Sequence, residues 1–338
     1  MGLRDAVVSV ATSWPVSWLF SPFLRDQAVI FMFHRFQDTE RGVRGHCPET
    51  LARGLRHLKE KGFRLVGLDE LVRVGREGGD VSRMAAFSVD DGYDDFYRVA
   101  APVFIEEKCP VTVFLITGFL DRGEWQWWDL VRLYLRQTKE TRVAYHLGDR
   151  TVDLSWSDGG APAHVRHRIE TDITSLGPAD RAAVLSELEE GLGVERPGPL
   201  TEGVSPLTWD QVAELGEKGV TFGAHTVTHP NCQTLGQEEL KEEVSASWRR
   251  VREETDATVP VFCFPYGLMP SSKTGARQLL ESEGFTGGVS ADPEYASRSD
   301  ILRDPFSLPR FSWPDDHLDL RQVASGFEKA KTVLARRG

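Results

Sequence analysis

Short apolar runs alternate along this chain with segments of helical period, and this alternation is the feature that most limits its possible folds. Seven runs are rich in β-branched and aromatic residues, as buried strands are: 29–33, 63–66, 84–89, 111–116, 220–222, 259–264 and 285–289. Helical spacing appears between them, for example at Leu240, Val244, Trp248 and Val251. The pattern predicts an α/β fold with a parallel sheet that crossover helices close or nearly close.

The alternation is interrupted between Gly118 and Ser205. A Trp-rich stretch leads into one helix, a hairpin is predicted over 143–156 with its turn at Gly148 and Asp149, and two charged helices follow. We interpret residues 119–205 as an insertion in a single domain that spans 27–338. Because this segment has few large apolar residues outside its Trp cluster, we do not expect it to bury a core of its own.

Charge and cysteine content exclude several classes of protein. Lys and Arg number 40 against 51 Asp and Glu, a net charge of −11 that disfavours nucleic acid as a partner. Four cysteines have neither metal-finger spacing nor the density of a disulfide scaffold, which suits a reducing compartment. No run approaches the roughly 18 apolar residues that a spanning helix needs, so we do not expect a transmembrane segment.

Residues 1–26 form an apolar N-terminal arm whose segment 6–23 carries no charge and contains Trp14, Trp18, Leu19 and Phe20. This segment is a poor match to a signal peptide, because Pro15 interrupts it and no clear cleavage site follows. Two interpretations stay open: a segment packed over the core, or an arm that contacts a membrane surface or a partner. The lack of a convincing leader favours a cytoplasmic location.

Two adjacent carboxylates, Asp90 and Asp91, directly follow the predicted strand 84–89 and precede a helix. The carboxyl ends of strands are where α/β proteins build their sites. One aspartate capping the next helix while the other is solvated would be the structural alternative.

A pair of histidines, His225 and His229, follows the strand at 220–222. If the four-residue step forms a helical turn, the two imidazoles point the same way, which suits chelation of one ion. A third segment ends the strand at 259–264 with Pro265, Tyr266 and Gly267, which in isolation is typical of a turn.

Together, the segments predict a metal-assisted hydrolase. Two histidines and one carboxylate are a ligand set for a hydrolytic zinc ion that keeps a fourth position for water. A second carboxylate beside them could take the proton of that water, whose pKa the ion lowers from 15.7 to roughly 7. The predicted reaction is hydrolysis of a carbonyl compound.

In these ordered motifs the chain resembles the polysaccharide deacetylases, the NodB-homology carbohydrate esterases, over roughly residues 27–117 and 206–313. The resemblance implies a distorted (β/α) barrel of about seven strands that binds Zn²⁺, or Co²⁺, Mn²⁺ or Ni²⁺, and removes N-acetyl groups from amino sugars. It implies that Asp90 is the general base and that Asp91, His225 and His229 are the metal ligands.

The resemblance further implies that Pro265 and Tyr266 belong to the groove segment whose backbone helps to hold the oxyanion. Many members carry an arginine two residues before this proline, where the chain has Cys263, and a late histidine as general acid, where it has Arg310. Arg310 is a poor proton donor but can bind an oxyanion or anchor Asp90. We therefore expect His34, at the end of the first strand, to be the general acid, with His317 as the alternative.

Trp127 and Trp128 have two possible roles, stacking on a sugar ring in the substrate cleft or anchoring the insertion on the barrel. The predicted activity is removal of an N-acyl group from an amino sugar, in a glycan or a carrier-linked precursor. Two alternatives stay open: an amidase or deformylase acting on a non-sugar amide, and an inactive glycan-binding protein.

Overall fold

The computed structural model of the protein describes residues 3–13, 16–157, 160–270 and 273–335. All seven predicted strands are present, with small differences at their ends, and the hairpin forms at its predicted place. The strands are β1 (Gln27–Phe33), β2 (Arg64–Leu65), β3 (Met84–Val89), β4 (Thr112–Leu115), β5 (Arg142–Leu147), β6 (Arg150–Ser155), β7 (Thr221–Ala224), β8 (Val261–Cys263), β9 (Gly287–Val289), β10 (Ala296–Ser297) and β11 (Phe311–Ser312).

The helices alternate with these strands as the sequence predicts. They are α1 (Leu3–Ala11), α2 (Pro48–Glu60), α3 (Leu68–Arg76), α4 (Ala101–Glu106), α5 (Thr117–Arg122), α6 (Trp127–Gln137), α7 (Ala163–Thr174), α8 (Pro178–Gly191), α9 (Trp209–Glu217), α10 (Gln237–Glu254), α11 (Lys273–Ser282), α12 (Arg298–Arg303), α13 (His317–Ser325) and α14 (Phe327–Ala335). Four short helical turns complete the described secondary structure: 3-10 turns over Ser17–Leu24, Glu202–Val204 and Pro265–Gly267, and a π turn over Phe96–Ala100.

The central strands form a distorted, incompletely bonded barrel. Parallel pairing runs from β11 through β1, β3 and β4 to β7, and β8 pairs with β9 in the same sense. Single parallel bridges, Phe222 with Thr258 and Val289 with Leu308, connect these two groups. The predicted α/β fold with a parallel, nearly closed sheet is confirmed. Since the strands are parallel, their carboxyl ends meet at one rim.

The insertion has a hydrophobic core of its own, so the expectation that it would lack one is wrong. Its fifteen buried residues come from α6, the β5–β6 hairpin, α7, α8 and the residue that follows α8, and they include Trp127, Tyr134, Tyr145 and Ile169. Medium-sized side chains on three helices and a hairpin together bury enough apolar surface to form a core. A count of large residues alone underestimates this surface. The domain boundaries stay a prediction.

The N-terminal arm packs on the last helices. Leu24 is buried, Phe20 meets Phe327 with ring centroids 5.0 Å apart, and α1 contacts α13. Trp14 and Pro15 lie outside the described residues. In the described part of the chain, no helix combines the length and the apolar character that crossing a bilayer requires.

Candidate active site

The two carboxylates lie at the carboxyl rim of the barrel. β3 is buried along its whole length, and the amide of Asp90 donates to the carbonyl of Phe33 on β1. Asp91 then adopts a left-handed backbone, with φ of 76°, a conformation that costs energy in a residue other than glycine. Both side chains are buried. The backbone is therefore locally unfavourable at the residue that is predicted to bind the metal.

The two histidines extend from β7 on a loop and not on a helical turn, so the geometric assumption behind their spacing is wrong. Thr226 and His229 both have positive φ, at 65° and 52°. The loop nevertheless brings the imidazoles together, with ring centroids 4.8 Å apart. Left-handed residues turn the chain back on itself over four residues, which places both rings on the same side.

Asp91, His225 and His229 form a compact group of metal-ligand type. Nε2 of each histidine lies 3.7 Å from Oδ1 of Asp91, and the ligand atoms all lie within 4.8 Å of one another. Ligands about 2.0–2.2 Å from a tetrahedral Zn²⁺ would be separated by comparable distances.

The hydrogen bond of His225 also fits a metal ligand. Nδ1 of His225 lies 2.8 Å from the carbonyl of Cys263 and donates to it, which leaves the lone pair of Nε2 facing Asp91. Nδ1 of His229 is buried without a hydrogen-bond partner among the described residues. The residues therefore fit a divalent ion.

Electrostatics point the same way. Burial, then the charges of Asp90 and Asp129, raises the pKa of Asp91 to about 8. Burial lowers the pKa of His225 to about 4 and that of His229 well below its usual value. At neutral pH the histidines are thus uncharged, as metal ligands must be, and a cation would relieve the cost of ionising Asp91.

Arg310 forms a bidentate ion pair with Asp90. Nη1 lies 2.7 Å from Oδ1 and Nη2 lies 2.8 Å from Oδ2 of Asp90, and both residues are buried. Burial opposes ionisation of Asp90, but the charge of Arg310 outweighs it and lowers the pKa of Asp90 to about 2. Nη2 also lies 3.3 Å from Sγ of Cys263, the position where many family members carry the arginine. Of the two roles expected for Arg310, the structure shows contact with Asp90.

His34 lines one cavity at this rim together with Asp90 and the metal-ligand group. It follows β1, its Nε2 is 3.9 Å from Oδ2 of Asp90, and its side chain is 49% exposed. The alternative, His317, begins α13 and meets the ring of His57 at 4.8 Å, outside the cavity that holds Asp90. Position therefore favours His34 over His317 for contact with substrate.

The Pro265–Gly267 segment lines the same cavity through Tyr266 and Gly267. Tyr266 has φ of 59°, and its hydroxyl donates to the carbonyl of His229 over 3.3 Å. Burial raises the pKa of Tyr266 to about 12, so the hydroxyl keeps its proton. Gly267 is required, since a Cβ there would lie 2.3 Å from the amide nitrogen of Ala291. Pro265 itself is buried and positions this turn.

The two tryptophans tie the insertion to the site and also line its cavity. Nε1 of Trp127 donates to the hydroxyl of Tyr266 over 2.9 Å, and Nε1 of Trp128 donates to the hydroxyl of Tyr93 over 2.8 Å. Tyr93 in turn donates to Asp129. The ring of Trp128 lies 4.9 Å from that of His229. Trp127 and Trp128 can therefore anchor the insertion and line the cleft at the same time.

Two residues that hold the histidine loop have no local signal in the sequence. The carboxylate of Glu243 on α10 accepts from the amides of Val227 and Thr228 and from the Thr228 hydroxyl. Arg181 of the insertion donates to the carbonyls of Thr228 and His229. Only the fold brings these distant residues to the loop.

The cavity at this rim has a volume of about 450 Å³ and is lined by the metal-ligand group, Asp90, Arg310 and His34. The insertion contributes Trp128, Arg132 and Glu170 to its wall. A pocket of this size accepts a small molecule or one to two sugar units, and its mixed polar and aromatic lining suits a carbohydrate.

Comparison with known proteins agrees with this geometry. The family model described as polysaccharide deacetylase matches residues 183–287, which include both histidines and the Pro265–Gly267 turn but not Asp90. No curated protein matches the chain significantly in sequence.

Three solved structures share the fold at low sequence identity. IcaB from Ammonifex degensii is 16% identical with a TM-score of 0.57, covering 89% of this chain and 97% of its own. The deacetylase PplD of Streptococcus pyogenes, in complex with acetate, is 16% identical with a TM-score of 0.54, covering 86% and 93%. The BpsB deacetylase domain of Bordetella bronchiseptica is 13% identical with a TM-score of 0.51, covering 85% and 95%. The resemblance of this chain to the polysaccharide deacetylases is thereby confirmed, in sequence over residues 183–287 and in fold over most of its length.

Proposed function

We propose that this protein is a metal-dependent hydrolase that removes an N-acyl group, in the simplest case acetyl, from an amino sugar in a glycan or a carrier-linked precursor. The observation that carries the proposal is the group formed by Asp91, His225 and His229, with the ion-paired Asp90 next to it at the same rim. The family match and the deacetylase among the structural neighbours support the choice of a carbohydrate amide as substrate.

Asp91, His225 and His229 would hold the ion, with Zn²⁺ the first choice and Co²⁺, Mn²⁺ or Ni²⁺ as alternatives. When bound, the ion polarises the acyl oxygen and lowers the pKa of water from 15.7 to roughly 7. The buried, uncharged imidazoles and the fixed tautomer of His225 prepare this binding.

Asp90 accepts the proton of the attacking water. A carboxylate with a pKa of about 2 is a weak base, but it is ionised at every pH at which the protein would work. The fork of Arg310 engages both oxygens and fixes the direction in which the remaining lone pairs point. Orientation is therefore the main contribution of Arg310 to the proton transfer.

His34 delivers a proton to the departing amine. Its Nε2 lies 3.9 Å from Oδ2 of Asp90, and its half-exposed ring can exchange protons with solvent. The backbone of the Pro265–Gly267 segment, which lines the same cavity through Tyr266 and Gly267, would donate to the developing oxyanion, the role that the family resemblance implies for it. A donor of this kind contributes about 2.7–4 kcal/mol in comparable sites.

Trp128 offers the apolar face against which a pyranose ring can stack, while Arg132 and Glu170 provide polar groups for its hydroxyls. Nucleic acid is not proposed as a partner. The cytoplasmic location stays a prediction.

The test is an acetate-release assay on N-acetylated oligosaccharides, with the metal content measured in parallel. The paired variant His225→Ala/His229→Ala should lose both bound metal and hydrolysis. A matched control, His164→Ala/His167→Ala, removes two exposed histidines from α7 of the insertion and should keep both. Full hydrolysis by the metal-free site variant would refute the proposal.

The same assay separates the alternatives. Formate release, or acetate release from non-sugar amides only, would identify the amidase or deformylase. Sugar binding without turnover in the metal-loaded protein would identify a glycan-binding protein. Acetate release that is faster from N-acetylated amino sugars than from the other amides supports the proposal.

A further inference from the structure

Large apolar side chains are exposed mainly on one part of the molecule. Of the six that stand out in the described part of the chain, four lie on the N-terminal arm and on α14, which packs against it: Val10, Trp18, Leu19 and Leu334, each between 54% and 68% exposed. Trp18 is the most exposed of them. Exposed apolar side chains on neighbouring elements are typical of a surface that meets a partner or a membrane.

The arm packs closely against the rest of the protein, and its exposed side chains lie on its solvent-facing side. Val8, Ala11 and Leu24 of the arm are buried, and Phe20 packs on Phe327. The backbone approach is close: a Cβ at Gly326 would lie 2.6 Å from the carbonyl oxygen of Phe20. One side of the arm is thus part of the core, and the other side is available for a second contact.

A basic cavity of about 490 Å³ opens beside Trp18, between the arm and the barrel. Lys61, Arg83 and Arg321 contribute three positive charges to its wall, against the single acidic residue Glu60. The protein as a whole carries a net charge of −11, so the charge of this cavity is opposite in sign to the net charge of the chain.

The cavity also offers uncharged hydrogen-bond groups. Ser17 and Ser21 of the arm line it, and so does His57, whose Nε2 is buried without a hydrogen-bond partner among the described residues. Burial, then the positive charges of His317, Lys61 and Arg321, lowers the pKa of His57 to about 4. Cations, hydroxyls and an imidazole N–H are the groups that recognise a phosphate ester.

The cavity lies at the opposite end of the barrel from the candidate active site. Lys61 precedes β2 and Arg83 directly precedes β3, so both mark the amino ends of strands. Asp90 and His225 follow the carboxyl ends of β3 and β7. A surface bound to this face therefore leaves the catalytic cavity open.

We propose that the arm and the basic cavity together dock on a bilayer that contains anionic phospholipid, with Trp18 and Leu19 in the interfacial region and a lipid phosphate in the cavity. Tryptophan favours the membrane interface, and clustered Lys and Arg are attracted to anionic headgroups. Apolar contact and charge each supply one of the two signals that stable peripheral binding needs. The protein would then present its catalytic cavity away from the bilayer, toward glycan beyond the headgroups.

The test is flotation of the full chain with vesicles of phosphatidylcholine alone and with about 30% phosphatidylglycerol. We expect binding to the anionic vesicles only, weakened by salt. The variant Lys61→Ala/Arg321→Ala should lower the partition coefficient roughly five-fold for each charge removed, about 25-fold in total. Trp18→Ser should weaken binding without changing its preference for anionic lipid.

A matched control, Arg73→Ala/Arg249→Ala, removes two exposed arginines from helices α3 and α10 and should bind like the parent protein. Acetate release should be unchanged in all these variants, which separates the outcome from that of the proposed function. Equal binding to neutral vesicles, equal loss in the control, or no binding to anionic vesicles would overturn the proposal. Binding of inorganic phosphate in the cavity by a protein that binds no vesicles would also overturn the proposal.

Discussion

Arg310 and Asp90, 220 positions apart in sequence, meet in a buried bidentate pair with N–O distances of 2.7 and 2.8 Å. The guanidinium has further fixed contacts, since Nε donates to the carbonyl of Ser290 and Nη1 to the hydroxyl of Ser88. Cys263, the position where relatives were expected to carry this arginine, lies against Nη2. The cation is thus present beside the carboxylate although it comes from the residue before β11 and not from β8.

Replacing Arg310 tests this arrangement. Arg310→Lys keeps the charge but loses the fork, and we expect kcat to fall about 100-fold through misorientation of Asp90. Arg310→Met leaves a buried carboxylate unpaired and should cost about 3–5 kcal/mol of stability. The double variant Asp90→Asn/Arg310→Met should recover much of that stability, measured by denaturant unfolding, but no activity. Parental activity in Arg310→Lys would contradict the orienting role.

The fold was predictable because each buried strand is encoded locally, by a short apolar run such as 84–89, where the predicted bounds match β3. The ligand group was predictable for a related reason: parallel strands end at one rim, so residues that follow different strands converge there. Asp91 and His225 follow this rule.

What escaped prediction depends on long-range contacts or on backbone conformation. The pairing of Arg310 with Asp90 was open, because sequence alone does not fix which strands are neighbours. The loop of His225 and His229 has positive φ at Thr226 and is held by Glu243, and periodicity reveals neither feature. The separate core of the insertion arises from the summed contributions of many medium-sized residues, such as Val165.

Asp91→Asn should stabilise the metal-free protein while abolishing metal binding. Burial and the charge of Asp90 raise the pKa of Asp91 to about 8, against about 3.9 in an unfolded chain. The folded state therefore favours the protonated form, and stability from this group is lost as pH rises from about 4 to about 8. An asparagine cannot ionise and so avoids that loss. The Tm of Asp91→Asn, measured with chelator present, should therefore exceed that of the parent protein by an amount that grows from pH 4 to pH 8.

The adjacent residue provides the control for this prediction. The pKa of Asp90 is lowered to about 2, so its ionised form stabilises the fold above about pH 4, and this contribution is lost as pH falls toward 2. Asp90→Asn should therefore lower Tm at pH 8, in the opposite direction to Asp91→Asn. Destabilisation of the metal-free protein by both variants at pH 8 would contradict the assigned electrostatics of Asp91.

His34→Asn should lower kcat by about 10²–10⁴ without changing metal content, because it removes the group positioned to protonate the amine. The loss should be smaller for an activated anilide, whose leaving group needs less protonation. His317→Asn, at the start of α13, is the matched control and should behave like the parent protein. Equal losses in the two variants, or the same loss for the anilide, would rule out proton donation by His34.

Glu243 should act on the metal through the loop that carries its ligands. Its carboxylate accepts three hydrogen bonds from Val227 and Thr228, between His225 and His229, and so holds a loop whose left-handed residues disfavour it. We expect Glu243→Ala to weaken Zn²⁺ binding about 10–100-fold in competition with a chelator, and Glu243→Gln, which keeps one acceptor oxygen, to weaken it less. The neighbouring Glu242→Ala, exposed on the same helix, should leave the affinity unchanged. A purely structural role would instead lower the Tm of the metal-free protein and leave the affinity of the folded fraction unaltered.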